Sequence, residues 1–166
     1  MNRADLLNAW RWFALAAAIV VADQIVKWVV LSHFAPGEQR PITDFLNLVL
    51  VFNKGAAFSL FAQLPGWQAP VLSAFALIAA VVVSVFIVRS PGRGLLCLGL
   101  GLILGGALGN VIDRLRFGHV VDFLDFHAAG WHWPAFNVAD SGITVGALLL
   151  ILDGFAQHEK RASAPS

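Results

Sequence analysis

Long apolar segments separated by short polar ones dominate the chain, and four of them have the length of a membrane span. They cover about residues 10–32, 68–88, 94–113 and 136–155. An α-helix rises about 1.5 Å per residue, so about 20 residues cross a hydrocarbon core of about 30 Å. The first segment continues past Asp23 and Lys27 and is longer than the apolar region of a cleaved signal peptide. The pattern predicts an α-helical integral membrane protein with four transmembrane helices.

The connections between the spans differ in length and character. The link Arg89–Arg93 is a tight turn, so spans two and three are expected to be antiparallel neighbours. The loops 33–67 and 114–135 are longer and carry the unusual residues. The second of them contains Trp131-His132-Trp133, a cluster that suits the headgroup level of a membrane.

The loop 33–67 contains the pattern of a β-hairpin. Phe45–Phe52 is rich in β-forming residues, Asn53-Lys54-Gly55 has turn chemistry, and Ala56–Phe61 is the candidate partner strand. A hairpin of this size is not stable alone. We therefore expect a small β-sheet that lies on the membrane surface.

Composition agrees with a membrane protein of one domain, residues 1–166. The chain is 58% hydrophobic and 13% charged, whereas a soluble domain is about half apolar and a quarter charged. Its net charge of +1 gives no reason to expect nucleic-acid binding. Cys97 is the only cysteine, which excludes intramolecular disulfides and multi-cysteine metal sites.

The basic residues predict the orientation of the spans. If the N-terminus is cytoplasmic, the inside segments are very short and hold Arg3, Arg11, Arg89, Arg93, Lys160 and Arg161. The outside loops are much longer and hold fewer basic residues, namely Arg40, Lys54, Arg114 and Arg116. The positive-inside rule then places both termini in the cytoplasm and the two long loops outside.

In that orientation, polar residues from three spans and two loops meet near the outer membrane face. Asp23 and Lys27 are four residues apart on span one and share a helix face. The outer ends of spans three and four and the outer loops supply the others: Asn110, Asp113, Arg114, Asn137, Asp140, Asn53 and Asp122. Each has a structural alternative: Asp23 and Lys27 as an intrahelical ion pair, Arg114 as a snorkelling side chain, and Asn137 as a helix cap. Asp125 and Asp153 are interpreted as structural.

Asp140 and Asp122 are the strongest candidates for chemistry. An ionisable group at the head of a membrane span is costly and therefore a functional candidate. Two nearby carboxylates tend to share one proton. The ionised member can then take a proton from water, and the protonated member can hydrogen-bond a carbonyl oxygen. Such a pair can hydrolyse a peptide bond without a metal or a covalent intermediate.

Metal and serine chemistry are the alternatives at the same site. Histidines and aspartates crowd loop 114–135, namely His119, Asp122, Asp125, His127 and His132. However, there is no helical HExxH motif, and in an extended segment Asp122 and Asp125 would point to opposite faces. Ser59 and Ser141 have no evident lysine partner. We expect neither a metal nor another cofactor.

Span three is rich in glycine at helical spacing. Gly101, Gly105 and Gly109 form two overlapping GxxxG motifs. Small residues at this spacing allow helix backbones to approach closely. Span three is therefore predicted to present a packing face to its neighbours.

Five blocks of the chain, taken in order, resemble the lipoprotein signal peptidases (signal peptidase II), a family of bacterial aspartyl peptidases. They are Asp23-Gln24-Ile25-Val26-Lys27, Asn53-Lys54-Gly55-Ala56-Ala57-Phe58-Ser59, Gly105-Gly106-Ala107-Leu108-Gly109-Asn110-Val111-Ile112-Asp113-Arg114, Gly118-His119-Val120-Val121-Asp122-Phe123 and Phe136-Asn137-Val138-Ala139-Asp140-Ser141. The match runs through nearly the whole chain.

The resemblance implies a multi-pass protein of the bacterial cytoplasmic (inner) membrane, with a β-sheet cradle and the active site at its outer face. It implies an endopeptidase that cleaves prolipoproteins before a diacylglyceryl-modified cysteine and binds globomycin-type inhibitors. The catalytic pair would be Asp122 and Asp140. The residues that bind substrate or support the site would be Asp23, Lys27, Asn53, Gly55, Asn110, Arg114 and Asn137. We expect a monomer in contact with membrane lipids, with a lipid-accessible opening near the pair.

Two other classes of function remain open from the sequence. A small ion-coupled transporter would use the intramembrane Asp and Lys groups as a relay. It would need polar residues in the cytoplasmic half, where Leu95–Leu104 and Val145–Leu152 are almost wholly apolar. A non-enzymatic assembly or chaperone subunit is the other class, and it would not depend on Asp122.

Overall fold

The computed structural model describes residues 3–55 and 66–162, with side-chain environments for residues 9–55 and 66–158. Four helices and four strands follow one another along these residues. Their order is α1 (Arg3–His33), β1 (Gln39–Thr43), β2 (Leu46–Asn53), α2 (Gln68–Arg89), α3 (Gly94–Phe117), β3 (Val120–Ala128), β4 (Trp131–His132) and α4 (Val138–Ala162). We call the end of the helices that adjoins the strands the sheet end, and the end at residues 90–93 the turn end.

All four helices contain a stretch long and apolar enough to cross a membrane. These stretches are Ala9–His33, Gln68–Arg89, Gly94–Phe117 and Val138–His158. Large apolar side chains on the helices face outward, as on Phe75, Ile78, Val81 and Leu148. Such a surface suits contact with lipid better than contact with water. The predicted four-helix membrane architecture is confirmed.

Helix α3 lies in the centre of the bundle because its glycines admit neighbours on two sides. A Cβ on Gly105 would lie 2.7 Å from the carbonyl oxygen of Ala16 on α1. A Cβ on Gly106 would lie 2.2 Å from the carbonyl oxygen of Ala139 on α4. Only glycine allows backbones to pack at this distance. The predicted packing face is confirmed, and it serves α1 and α4 together.

The four strands form one antiparallel sheet in the order β1-β2-β3-β4. The predicted small sheet is therefore confirmed, with β2 between β1 and β3. This pairing joins β2 to a strand from the second long loop, whereas the sequence pattern suggested a local hairpin. The proposed partner strand Ala56–Phe61 lies outside the described residues.

An apolar cluster packs the sheet against the helices. Val30 of α1, Leu50 of β2, and Val121 and Phe123 of β3 are buried together. Burial of aliphatic and aromatic side chains is the main stabilising contribution at such a junction. As a result, β3 runs directly past the sheet ends of α1, α3 and α4.

The turn end has a separate polar contact. Asp153 of α4 is 5% exposed and forms an ion pair with Arg93 at the start of α3. Between this pair and the sheet end lies an apolar core that includes Ala16, Leu100 and Leu104. Asp153 is thus structural, as the sequence indicated.

Candidate active site

A buried ion triad lies at the sheet end of α1 and α3. The Lys27 ammonium is 2.7 Å from an Asp23 oxygen and 2.8 Å from an Asp113 oxygen. It also donates to Asn110 Oδ1 at 3.2 Å. Asp23, Lys27 and Asp113 are each at most 2% exposed. The i, i+4 pairing of Asp23 and Lys27 is present, but it is one part of a larger network.

The carboxylates of this triad also accept backbone N–H groups. Asp113 Oδ2 accepts from Val121 of β3 at 3.0 Å, and Asp23 Oδ1 accepts from Ala139 of α4 at 2.9 Å. Gln24 Nε2 donates to Asp113 Oδ1 at 2.8 Å. Four elements therefore meet at these side chains.

Asn137 lies at the centre of the site and has two roles. Its Oδ1 accepts the N–H of Asp140 at 2.9 Å, which is the geometry of an N-cap on α4. Its Nδ2 donates to Asp122 Oδ1 at 2.7 Å and also lies 3.2 Å from Asn110 Oδ1. One buried amide therefore contacts Asp122, Asp140 and Asn110 together.

Asn53 holds the other oxygen of Asp122. Its Nδ2 donates to Asp122 Oδ2 at 2.9 Å, while its Oδ1 accepts the N–H of Gly55 at 2.8 Å. Gly55 has a φ of +91°, a conformation that favours glycine. A Cβ there would also lie 2.5 Å from Leu72 Cδ1. The turn after β2 is thereby tied to Asp122.

Asp122 is nearly fully buried, and its protonation reflects this. Burial raises the pKa of Asp122 from 3.8 to about 7, and the negative charge of Asp140 adds to the increase. Hydrogen bonds from Asn53 and Asn137 and the charge of Lys27 act in the opposite direction. Burial dominates because few water molecules can solvate the charged form.

Asp140 occupies the first turn of α4, where a helix N-terminus favours negative charge. Its Oδ1 accepts a hydrogen bond from Asn110 Nδ2 at 2.8 Å. Arg114 is half-buried one turn beyond Asn110 and makes only a long contact, 3.5 Å, to the Asn110 carbonyl oxygen among the described residues.

The structure brings together most of the side chains that the sequence singled out. Eight form one connected network: Asp23, Lys27, Asn53, Asn110, Asp122, Asn137, Asp140 and, through its backbone, Gly55. Arg114 lies at its edge. Asp113 belongs at its centre. The sequence analysis placed it among the polar residues near the outer membrane face but did not assign it to the site. The signal was its position three residues after Asn110, which places both on one helix face.

Among the described residues, Asp125 and the histidines of loop 114–135 do not join this network. Asp125 accepts from Asn47 at 2.8 Å and lies 2.9 Å from His132 Nδ1. Burial would raise the pKa of Asp125, but these contacts outweigh it and hold the pKa below its usual value. Within residues 9–55 and 66–158, no group of three or more His, Cys, Asp or Glu side chains could hold a metal ion. Asp125 therefore ties β4 and β2 to β3.

An apolar cavity opens beside Asp140. Its volume is about 710 Å³, and it lies between the sheet and α4. Aromatic and aliphatic residues form most of its wall, including Phe126, Trp131, Trp133, Phe136 and Val145. A cavity of this size and composition can hold the apolar part of a ligand close to the carboxylate.

Comparison with known proteins identifies a family with these features. Residues 15–156 match the family model described as signal peptidase (SPase) II. The lipoprotein signal peptidase of Paraburkholderia phytofirmans is 53% identical over 86% of this chain and 83% of its own length. That of Ralstonia nicotianae is 55% identical over 86% and 82%. That of Cupriavidus necator is 51% identical over 92% and 87%.

Two solved structures, both described as bacterial membrane enzymes, have the same fold. One superposes with a TM-score of 0.82 at 26% identity, over 94% of each chain. The other has a TM-score of 0.76 at 30% identity, over 86% of this chain and 90% of its own. The family model covers most of the chain, and the relatives exceed half identity over most of their length. This chain belongs to the signal peptidase II family.

Proposed function

We propose that this protein is an aspartic endopeptidase that removes signal peptides from prolipoproteins, with Asp122 and Asp140 as its catalytic pair. The observation that carries the proposal is the bridging amide of Asn137. It donates to the Asp122 carboxylate and caps the backbone of Asp140, which fixes two carboxylates at one site. The names of the relatives, lipoprotein signal peptidase, supply the substrate class.

The two carboxyl groups have different roles in the reaction. Asp122 is the proposed proton donor, because burial raises its pKa to about 7 and so keeps a large share of this carboxyl group protonated near neutral pH. Asp140 takes a proton from a water molecule, whose oxygen attacks the carbon of the scissile carbonyl. Asp122 gives its proton to the carbonyl oxygen. When the C–N bond breaks, the proton on Asp140 passes to the departing amine. The hydroxyl group formed from the carbonyl oxygen returns its proton to Asp122.

The remaining polar residues hold this pair in place. Asn53 and Asn137 donate to the oxygens of Asp122, and Asn110 donates to Asp140. Gly55 lets the turn after β2 reach Asn53. Asp23 and Lys27 anchor the network to α1. Preorganised donors of this kind reduce the reorganisation needed during the reaction.

The substrate is a peptide whose cysteine carries a diacylglyceryl group. The cavity beside Asp140 is lined mainly by apolar side chains, which suits acyl chains or the apolar part of a signal peptide. Cleavage before the modified cysteine would place the carbonyl group of the preceding residue between Asp122 and Asp140. Arg114 would contact the peptide backbone or the lipid headgroup. A globomycin-type cyclic peptide would occupy the same space and exclude water from the pair.

The sheet end would lie at the outer face of the bacterial inner membrane, with both termini in the cytoplasm. The distribution of arginines and lysines supports this orientation. The chain would act as a monomer surrounded by lipid, since the network at the sheet end is assembled from one chain. The 166 residues would form a single peptidase domain.

An ion-coupled transporter fits the structure less well. Its relay would have to continue from the Lys27 network to the turn end. Leu100 and Leu104 of α3 lie between that network and the Arg93–Asp153 pair and belong to an apolar core. Charge movement through such a core is expensive.

The function is tested with a synthetic prolipoprotein peptide that carries a diacylglyceryl cysteine. Purified protein in detergent should cut it on the N-terminal side of that cysteine, as mass spectrometry of both fragments would show. The same peptide without the lipid is the matched substrate control and should be cut far more slowly. Ion flux in proteoliposomes without peptide cleavage would instead favour the transporter.

A further inference from the structure

The two proposed catalytic aspartates are anchored in the same way, through the backbone of the residue that precedes each of them. The residue immediately before each one donates its backbone N–H to a buried carboxylate. Val121, before Asp122, donates to Asp113 at 3.0 Å. Ala139, before Asp140, donates to Asp23 at 2.9 Å. Val121 and Ala139 are themselves fully buried.

A single ammonium group joins the two anchors. Lys27 lies 2.8 Å from Asp113 and 2.7 Å from Asp23. Gln24 adds a second connection, because its Nε2 lies 2.8 Å from Asp113 Oδ1 and 3.3 Å from Asp23 Oδ2. The path from one catalytic aspartate to the other thus runs through short polar contacts.

We propose that Asp113 is a positioning residue, cross-linked to Asp23 through Lys27, that fixes β3 relative to α4 and so sets the separation of Asp122 and Asp140. This inference rests on the proposed function, because only there do these two aspartates act as a pair. Stability alone does not account for such a triad. Apolar residues of similar volume often replace buried ion pairs with no loss of stability.

The position of Val121 in the sheet supports this role. Its N–H points to Asp113, and its carbonyl oxygen accepts from Asn137 Nδ2 at 3.2 Å. Both backbone groups of this residue therefore have partners outside the sheet. Asp113 and Asn137 add contacts that hold β3 against α3 and the start of α4.

Two variants separate the charge of Asp113 from the hydrogen bond that it accepts. Asp113→Asn keeps the shape of the side chain but removes its charge. Val121→Pro removes the N–H, but it also replaces a fully buried valine and fixes φ. Val121→Ala, which keeps the N–H, is therefore measured beside it and should keep most of its kcat. Asp153→Asn is the matched control, since Asp153 is also a buried carboxylate in an ion pair, at the turn end.

The kinetics of the prolipoprotein peptide decide the proposal, with folding checked by size-exclusion chromatography and circular dichroism. Asp113→Asn and Val121→Pro should each lower kcat by about 10- to 100-fold, the scale of an ångström-sized misplacement, with KM changed by less than about threefold. The double variant should be little slower than the slower single variant, because both interrupt the same path from Lys27 through Asp113 to β3. Asp153→Asn should keep kcat.

The opposite results overturn the proposal. Wild-type kcat in folded Val121→Pro would exclude the hydrogen bond as a positioning contact, even if Asp113→Asn failed to fold. Multiplied losses in the double variant would show that Asp113 acts by another route. Activity retained in Asp122→Asn would overturn the proposed function and this inference with it. Inactive Asp122→Asn beside fully active Asp113→Asn would overturn this inference alone.

Discussion

Replacing Gly106 with alanine tests whether the packing of α3 against α4 controls the catalytic pair. The added Cβ would lie 2.2 Å from the carbonyl oxygen of Ala139 and 2.8 Å from Ile143 Cγ1. Ordinary contacts of this kind are 3.4 Å or longer. The backbone of α4 would therefore have to move by about 1 Å at the residue before Asp140, a displacement that can cost about 100-fold in rate.

The expected result is a folded protein with kcat lowered by about 100-fold and a stability loss of about 1–3 kcal/mol from overpacking. The peptide assay gives kcat, and thermal unfolding in detergent gives the stability. Gly99→Ala is the matched control at the same helix interface. Its Cβ would lie 2.7 Å from the carbonyl oxygen of Gly146, seven residues nearer the turn end on α3. It should lose stability but keep most of its kcat.

A second control has no steric cost. Gly154 of α4 has nothing within 4 Å of a built Cβ, so Gly154→Ala should leave both kcat and stability near the wild-type values. The reasoning would be refuted if folded Gly106→Ala kept wild-type kcat. It would also be refuted if Gly99→Ala and Gly106→Ala lost kcat equally.

Three further perturbations test other contacts of the site. The pKa of Asp122 is raised from 3.8 to about 7 in the folded protein. Protonation of this group therefore stabilises the fold fully below about pH 3.8, and this stabilisation is lost as the pH rises through about 7. Turnover should fall as the pH rises through about 7, because Asp122 then loses the proton that it donates to the carbonyl oxygen. A pH profile of kcat that stays flat to about pH 9 would contradict this. Lys27→Met leaves two buried carboxylates without their cation and should destabilise the protein by about 3–5 kcal/mol, measured by denaturation in mixed micelles; an unchanged midpoint would count against the triad. Arg114→Lys and Arg114→Ala should weaken turnover in a folded protein, because the half-buried guanidinium is proposed to contact the peptide backbone or the lipid headgroup; unchanged turnover would exclude that role.

The helices and the main polar residues could be predicted from the sequence because both depend on local patterns. Apolar length alone marks the four spans, and the GxxxG spacing marks α3 as a packing element. The capping role of Asn137 also follows from its place just before α4. These features require no knowledge of which parts of the chain meet.

The pairing of distant segments could not be predicted in the same way. The sequence pattern favoured a local hairpin around Asn53, whereas β2 lies between β1 and β3, and β3 is about 70 residues further along the chain. Asp113 was placed in the outer polar cluster, but its role at the site was missed. Its contact with the Val121 N–H depends on the tertiary position of β3. Long-range contacts of this kind leave little trace in one sequence.

The most direct test of the account compares cleavage of the diacylglyceryl-modified peptide by the wild type, Asp122→Asn and Asp140→Asn, each with and without EDTA. The account predicts wild-type cleavage that EDTA does not change, and two variants that are folded but inactive. Full activity in either folded variant would contradict the aspartate pair. Loss of wild-type activity with EDTA would show that the reaction needs a metal ion.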